Sequence, residues 1–409
     1  MCARFANAGI GRSANAADER GEKRARLARR HRLAAEARAG DPAEVARSLV
    51  AVHSTDPSSV YLGILARMTG GGIADVGRAL YEDRTLLRLL GMRRTVFVAC
   101  TEIAPVIQAG CSRAVAATER RKLLRWLATA EVAPDVSDWL AGAEQAALRA
   151  LTERGEATAA DLARDDPRLA VRLSPGRGMS PEGQFNIASR VLFLLAAEGK
   201  VARGRPRGSW TSHQYRWLPM ADWHPAWLDG WATHEAEVEL ARRWLRAYGP
   251  ATIDDLRWWT GWSGGQVRRV LAELRPADVD LDGIPGIVAA DDTDPGPEVA
   301  PWAALLPGLD TTPMGWQQRD WFLGVHGGKL FDRTGNIGPT VWWDGRIVGG
   351  WAQHGDGEIV WRLLEDVGSD AAAAVEAAAE RQAALLGGAR LAPRTRGRTW
   401  LEQELAGVS

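Results

Sequence analysis

Short helical stretches precede a β segment in this chain, and this order of segments is repeated along the sequence. Apolar residues recur at helical spacing around Leu27, Val45 and Val60, which predicts three short helices. A fourth helix is predicted around Ile73–Tyr81, and Met92–Ala99 then alternates in the manner of a β-strand. A winged-helix domain consists of helices followed by short strands, so this order predicts that fold for the first part of the chain.

The same order recurs twice more along the chain. The first recurrence contains predicted helices and then a hairpin, at Trp139–Leu151, Thr158–Arg164, Pro181–Glu198 and Val201–Trp217. The second contains helices and then wing strands, at His234–Ala247, Thr252–Trp258, Gly265–Leu274 and Val279–Ala289. Thr252 and Asp255 form a capping pattern at the start of the middle helix of this last group.

The C-terminal part has a different composition and is rich in Trp, Val, Ile and Gly from Trp302 onwards. The dipeptides Asp344–Gly345 and Asp356–Gly357 are strong hairpin signals, and Ala371–Leu386 predicts a closing helix. Tryptophan pairs such as Trp258–Trp259 and Trp342–Trp343 are assigned to core packing, with base stacking as the alternative. The chain is therefore predicted to be α+β, mainly α, with tandem winged-helix domains followed by a small C-terminal antiparallel β-barrel.

The predicted domain borders follow from these segments. They are a disordered N-terminus at 1–22, a first winged helix at 23–135, a second with a basic wing at 136–230, a third at 231–298, and the barrel with its closing helix at 299–409.

Composition excludes several classes of protein. The sequence has no apolar window of about 18 residues and no apolar signal core, so a cytoplasmic protein without membrane contact is expected. Cys2, Cys100 and Cys111 form no CxxC pair and no zinc-ligand spacing, so reduced thiols and no metal site are expected. A P-loop, a nucleotide fingerprint and an HExxH motif are all absent from the sequence, which gives no support to a nucleotide cofactor or to zinc-protease chemistry.

The charge of the chain is neutral overall but unevenly distributed. The net charge is +0, whereas proteins that neutralise phosphates are commonly basic. Of the 51 basic residues 47 are arginine, and they concentrate at Arg24–Arg32, Arg113–Arg125 and Arg203–Arg216. A locally basic face and the coding bias of a GC-rich genome both explain this excess, and the cluster Arg113–Arg125 also fits an exposed helix face.

The stretch Leu49–Pro57, LVAVHSTDP, carries the main candidates for chemistry. His53 and Thr55 would lie about 200° apart on a continuous helix, so they converge only if the helix ends at or just after His53. The coming Pro57 favours such an ending. A convergent pair would hold and orient a water molecule, with neutral His53 as the acceptor. The alternative is structural, with His53 packed between helices, Thr55 bonded to a local carbonyl and Asp56 as the cap of the next helix.

The predicted second wing is the best sequence signal for contact with DNA. Arg203, Arg205 and Arg207 alternate with Gly and Pro residues before Trp210 and Gln214, which suits phosphate and groove contact, although an ordinary solvated turn has the same composition. Arg93 and Arg94 lie beside the predicted first-wing strand. Because side chains alternate along a strand, only one of these two is expected to face the same groove.

Three segments together resemble a known family. The stretch Leu49–Pro57, the sequence MRRTVFVA at Met92–Ala99 and YGPATIDDLRWWTGW at Tyr248–Trp262 resemble the winged-helix DNA glycosylases of the AlkZ/YcaQ type, which remove alkylated bases and unhook crosslinks. In that family a Gln-x-Gln or Gln-x-Asp pair implicated in catalysis stands where this chain has His53, Ser54 and Thr55. The resemblance covers the chain from about Arg24 to about Gly368.

The resemblance implies a function and a set of partners. It implies a monomeric, monofunctional enzyme without cofactor or metal that acts on double-stranded DNA of the nucleoid. The implied reaction is hydrolysis of the N-glycosidic bond of N3- or N7-alkylpurines, with bulky adducts and interstrand crosslinks as further candidate substrates. Asp56 is the candidate partner for a positively charged sugar, after His53 and Thr55. Two alternatives stay open, namely a DNA-binding or regulatory protein without chemistry on the same fold, and a resistance protein that sequesters a DNA-alkylating metabolite or its adduct.

Overall fold

A computed structural model describes residues 20–174, 185–224, 230–391 and 397–407. The described chain forms two compact units, one made from its residues up to Gly77 together with those from Val238 onwards and the other from its residues between Arg78 and Glu237. The predicted disordered segment 1–22 lies almost wholly outside the described residues. Among the helices that are described, none is long and apolar enough to cross a membrane.

The N-terminal part of the first unit consists of short helices with polar caps. They are a helix over residues 20–30, a 3-10 turn at Ala35–Ala37, and helices Pro42–Ser48, Pro57–Leu65 and Ile73–Tyr81, the last of which continues into the second unit. Asp41 and Asp56 cap the helices that begin at Pro42 and Pro57, and each proline occupies the first turn, where its missing N–H costs no hydrogen bond. The predicted order of these helices and their predicted entrances at Asp41 and Asp56 are confirmed.

The middle of the chain supplies the next elements of the first unit. Helix Thr233–Tyr248 enters it from the second unit, and helices Ile253–Thr260 and Gly264–Leu274 precede the antiparallel pair Ala277–Asp280 and Pro285–Val288. Thr252 with Asp255, and Ser263 with Gln266, form reciprocal capping boxes. The predicted order of elements and the predicted Thr252–Asp255 cap are confirmed.

The C-terminal part of the first unit is a four-stranded antiparallel sheet. Its strands pair in chain order and are Ala303–Leu306, Thr340–Trp343, Arg346–Gln353 and Ile359–Leu363. Asp344 and Gly345 connect two of them with φ values of 44° and 75°, the left-handed pair of a tight hairpin turn. Among the described residues the first and last strands do not pair with each other, so the predicted closed barrel is not confirmed.

Short helices connect the first two strands of this sheet, and two further helices follow its last strand. They are Asp320–Leu323, a 3-10 turn at Gly324–His326, Gly327–Leu330, Ser369–Leu386 and Trp400–Leu405. Helix Ser369–Leu386 packs on the edge strand Ala303–Leu306, as a closing helix should. Trp259 and Trp342 are buried, and their neighbours in sequence are partly exposed, so the assignment of these tryptophan pairs to core packing is confirmed.

The second unit is built from helices and two hairpins. The hairpins are Leu86–Leu90 with Val96–Cys100 and Val201–Pro206 with Tyr215–Pro219, and a two-residue pair joins Arg172–Leu173 to Phe185–Asn186. The helices are Ala104–Ile107, a π turn at Gln108–Ser112, Arg113–Thr129, Val136–Arg154, Ala159–Asp165, Pro167–Ala170, Ile187–Ala197 and Met220–Trp223. The helices from Arg113–Thr129 to Ile187–Ala197 share one core that includes Leu127, Leu140, Leu151, Val191 and Leu195.

Two sequence-based predictions for this unit are corrected by the structure. Met92–Ala99 is not one strand, because Met92–Arg94 is a 3-10 turn and the strand begins at Val96. The partner strand Leu86–Leu90 is not predicted, since its sequence LLRLL lacks the apolar–polar alternation of a half-buried strand. The helix predicted at Pro181–Glu198 begins only at Ile187, after the cap Asn186, and residues 181–184 lie outside the described part.

Candidate functional site

His53 lies in a short extended segment and not at the end of a helix. The preceding helix ends at Ser48, and Val52–His53 forms a two-residue strand. The predicted helix end at or just after His53 is therefore wrong, because the chain leaves the helix at Leu49 and turns through Val50, whose φ is 63°. His53 is 6% exposed, and its backbone N–H donates to the Thr311 hydroxyl oxygen over 2.8 Å.

Thr55 and Asp56 have different environments from His53. Thr55 is exposed, in the bend between the short strand and the next helix. Asp56 is buried, and its Oδ1 accepts hydrogen bonds from the Ser58 backbone N–H over 2.9 Å and from the Ser58 hydroxyl over 2.8 Å. The capping alternative for Asp56 is thereby confirmed. The strand ends at His53 and Thr55 lies in the bend that follows, so the convergence of these two side chains on one water molecule stays a prediction.

A buried ion pair holds the loop that contacts His53. The Arg67 guanidinium binds both carboxylate oxygens of Asp310, with Nη2 to Oδ1 at 2.7 Å and Nη1 to Oδ2 at 2.9 Å. Arg67 Nη2 also donates to the Thr312 hydroxyl over 2.7 Å, and the Thr312 backbone N–H donates to Asp310 Oδ1 over 2.9 Å. Thr311 lies between these two anchored residues in the sequence. The ion pair therefore helps to position the Thr311 hydroxyl, which accepts the hydrogen bond from the His53 N–H.

His31 completes this buried polar network. Its Nε2 faces the Ala247 carbonyl at 3.2 Å and its Nδ1 faces the Thr312 hydroxyl at 2.7 Å. A carbonyl only accepts, so Nε2 carries the proton, and Nδ1 accepts from the Thr312 hydroxyl. Burial, and then the nearby Arg67 guanidinium, lower the pKa of His31 to about 3, so this imidazole stays neutral at neutral pH.

Sequence reasoning missed the network that supports His53. Its members His31, Arg67, Asp310, Thr311 and Thr312 are all buried. One signal was present in the sequence, since Asp310 lies in the run LLPGLDTT, where a carboxylate among apolar residues demands a partner. The identity of that partner has no local signal, because Arg67 is 243 residues away.

In the second unit, the predicted basic wing forms the hairpin Val201–Pro206 with Tyr215–Pro219. Arg203 is only partly exposed, with its guanidinium 5.4 Å from the Tyr215 ring centre and 5.0 Å from that of Trp217. Burial is the main cause that lowers the pKa of Arg203 to about 10, and the neighbouring Arg88 adds to it. Arg203 is therefore stacked on aromatic rings and differs from an open phosphate arm.

The exposed basic residues of this hairpin lie nearer its tip. Arg205 is exposed, pairs with Glu82 at 2.8 Å and lies 5.2 Å from the Tyr81 ring centre. Arg207 is exposed, and its backbone N–H donates to the Gln214 carbonyl over 2.8 Å, which closes the loop that contains the half-buried Trp210. The predicted arrangement of Arg205, Arg207, Trp210 and Gln214 around one hairpin tip is confirmed as geometry.

Arg93 and Arg94 lie in the tight turn of the other hairpin. Their φ values are 51° and 61°, so neither is a strand residue, and the expectation that alternation would separate their side chains is wrong. Arg94 binds both carboxylate oxygens of Glu119, with Nε to Oε1 and Nη2 to Oε2 at 2.8 Å each, and it lies 4.9 Å from the Phe193 ring centre. Its charge is already paired within the unit.

The structure also describes the basic cluster at Arg113–Arg125 and two of the three cysteines. In the helix Arg113–Thr129, Arg120 lies 2.8 Å from Glu144 and 2.5 Å from Glu198 in ion pairs. Cys100 and Cys111 are both buried. Within the described ranges no group of three His, Cys, Asp or Glu side chains is placed to hold a metal ion.

Comparisons with known proteins place this geometry in context. Residues 46–385 match the model of the family described as DNA glycosylase AlkZ-like. Among solved structures, the chain is similar to the Streptomyces sahachiroi DNA glycosylase AlkZ, with a TM-score of 0.68 and 22% sequence identity over 91% of this chain and 97% of that one. A comparison with curated proteins found no match. The structural similarity extends over both compact units, and the family match includes His53, Thr55 and Asp56.

Proposed function

Because this chain belongs to the AlkZ-like DNA glycosylase family and is thus a DNA N-glycosylase, we propose that its substrates are N3- and N7-alkylated purines in double-stranded DNA. Alkylation at these positions gives the base a positive charge, so it leaves as a neutral molecule and needs no proton from the enzyme. The remaining tasks are stabilisation of the sugar cation and delivery of water. Bulky adducts and interstrand crosslinks are further substrates of the same chemistry.

The observation that carries the proposal is the anchoring of His53. Its backbone N–H is held by Thr311, which stands between two residues of the buried Arg67 network. A fixed backbone limits the orientations of the imidazole beside the exposed Thr55. In the proposed mechanism neutral His53 accepts a proton from water while the Thr55 hydroxyl orients that water.

Asp56 contributes charge in this proposal. One of its oxygens caps the helix Pro57–Leu65 through Ser58, which holds the carboxylate in place. A fixed carboxylate stabilises the positive charge that develops on the sugar as the base departs. No lysine occurs between Leu49 and Pro57, so we propose that water attacks the sugar and that the product is an abasic site in an uncut strand.

Contact with DNA is assigned to the winged-helix elements. We propose three winged helices in tandem and a C-terminal barrel, acting as a monomer in the nucleoid. The exposed Arg205 and Arg207 would bind phosphates, and Trp210 with Gln214 at the same hairpin tip would contact the groove. Arg203 would support this hairpin through its aromatic stacking, and Arg93 with Arg94 would flank the DNA from the other hairpin of the unit.

Release of free base from duplex DNA carrying N7- or N3-alkylpurine tests the proposal. His53→Ala is expected to slow release by roughly 10²–10⁴-fold, because a general base is lost. His354→Ala is the matched control, since His354 is an exposed histidine outside the 49–58 segment. Absence of release by the native protein from all such duplexes, with DNA binding intact, would favour the binding-protein alternative.

Asp56 needs a pair of variants because it also caps a helix. Asp56→Asn retains a capping side chain and removes the charge, whereas Asp56→Ala removes both. Slower base release by Asp56→Asn at unchanged thermal stability supports the electrostatic role. Equal release by Asp56→Asn and the native protein assigns Asp56 to capping alone.

A further inference from the structure

A cavity of about 320 Å³ lies in the first unit, separate in sequence from the 49–58 segment. Its walls come from the C-terminal end of the helix Pro57–Leu65 and the residues that follow, from the strand Ala303–Leu306, and from the helix Ser369–Leu386. Its volume lies at the lower end of the range for small-molecule sites. The candidate active-site residues precede the same helix at its other end, so the two sites are about 13 Å apart along the helix axis.

The three described polar side chains that line this cavity, Arg38, Arg381 and Gln382, all carry hydrogen-bond donors. Gln382 is 4% exposed, and its Nε2 is buried without a hydrogen-bond partner among the described residues. Arg38 Nε is likewise buried without a partner in that part of the chain. Buried donors of this kind are rare in folded proteins because each costs free energy when it is left unmatched. Two of them at one cavity indicate a ligand that supplies acceptors.

The charge around the cavity has one sign. Arg38 and Arg381 both line it, and none of the described lining residues carries a carboxylate. Burial, and then the neighbouring Arg381 guanidinium, lower the pKa of Arg38 below its ordinary value. Two guanidinium groups that repel each other across a partly buried space are stabilised when an anion binds between them.

The rest of the cavity wall is apolar. The apolar part of the wall consists of Leu65, Met68, Leu305, Ala378 and Leu385. On the helix Ser369–Leu386 the lining residues occupy one face, at positions 378, 381, 382 and 385. The wall is also tied in place, because the Ala39 N–H donates to the Arg67 carbonyl and the Thr69 N–H donates to the Ala39 carbonyl, over 2.9 Å each. A preformed apolar chamber with donors at one place fits a ligand with an apolar body and an anionic head.

We propose that this cavity binds a small organic oxyanion with an apolar body, whose head is held by Arg38, Arg381 and Gln382. The head is a carboxylate or a phosphate. Both groups present a pair of oxygen acceptors that a guanidinium group can bind. The body lies against the apolar wall. This site is independent of the proposed chemistry on DNA.

Isothermal titration calorimetry of the full chain tests the proposal with four ligands that share the same type of alkyl chain and differ in the head group. Octanoate and octyl phosphate supply the two heads, octanol is neutral, and octylammonium is cationic. Binding of octanoate or octyl phosphate at least tenfold tighter than octanol, with no binding of octylammonium, is expected. The tighter of the two anions identifies the head. Equal binding of octanol and both anions, or no binding of any probe, would overturn the proposal.

Variants at exposed positions keep this test independent of folding. Arg381→Gln removes one exposed guanidinium and is expected to weaken binding of the preferred anion about tenfold or more, without effect on octanol. Ala384→Phe fills the cavity from an exposed position and is expected to abolish binding of both. Arg257→Gln, at an exposed arginine outside the cavity, is the matched control. Unchanged anion affinity in both cavity variants would contradict the assignment.

Discussion

Arg67 and Asp310 form a bidentate ion pair in which the two side chains are 0% and 2% exposed. The pair joins the end of the helix Pro57–Leu65 to the loop that accepts the His53 N–H. Gly63 lies close beside it, because a Cβ at this position would stand 3.1 Å from Asp310 Oδ2. The geometry of the candidate site therefore depends on residues that take no part in the proposed chemistry.

Asp310→Asn is expected to destabilise the protein by about 3–5 kcal/mol, because it leaves the buried Arg67 charge without its counter-ion. Urea unfolding of the native and variant proteins measures this loss. Glu404→Gln is the matched control, since the Arg362–Glu404 pair is 45% and 40% exposed and should contribute about 0–1 kcal/mol. Equal effects of the two substitutions would show that the buried pair does not stabilise the fold.

Stability is expected to fall below pH 6.5 because of His31. The pKa of this residue is about 3 when folded and 6.5 ordinarily, so in acid the unfolded chain binds a proton that the folded chain does not. The free energy of unfolding should therefore drop by about 2 kcal/mol from pH 7.5 to pH 5 on this account alone. Urea unfolding at both pH values should show a drop smaller by this amount in His31→Gln. An identical pH dependence of the two proteins would contradict the assignment.

Thr311→Val is expected to lower base release more than it lowers stability. The substitution removes the acceptor for the His53 N–H, which costs about 1–3 kcal/mol for a buried donor and releases the backbone that orients the imidazole. A fall in kcat with little change in KM is expected, measured by single-turnover and steady-state base release. Thr311→Ser restores the hydroxyl and should recover the native rate, whereas a slow Thr311→Ser variant would assign the effect to packing.

Arg205→Gln and Arg207→Gln are each expected to weaken binding of duplex DNA to a similar degree for all sequences. Loss of one phosphate contact should reduce the slope of log K against log salt by about 1. Fluorescence anisotropy over a series of salt concentrations measures this slope. Arg164→Gln is the control in the same unit, since that side chain is 73% exposed and lies on the helix Ala159–Asp165. A reduction as large in Arg164→Gln would contradict a specific role for the wing.

The local elements of this protein follow from residues that are close together in the sequence. The helices that start at Pro42 and Pro57, the Thr252–Asp255 capping box and the Asp344–Gly345 hairpin were all predicted, because the groups that form them lie within a few residues of one another. The family was also recognisable from short segments, and the family match confirmed it.

The way in which His53 is held depends on contacts between residues that are distant in the sequence. Local pattern placed His53 at a helix end, whereas its backbone bonds to a residue 258 positions away and lies in extended conformation. The same holds for Arg94, which local alternation assigned to a strand and which instead binds Glu119 from a left-handed turn. Partners distant in sequence leave no periodic or capping signal, because burial and charge pairing act only after the chain has brought them together.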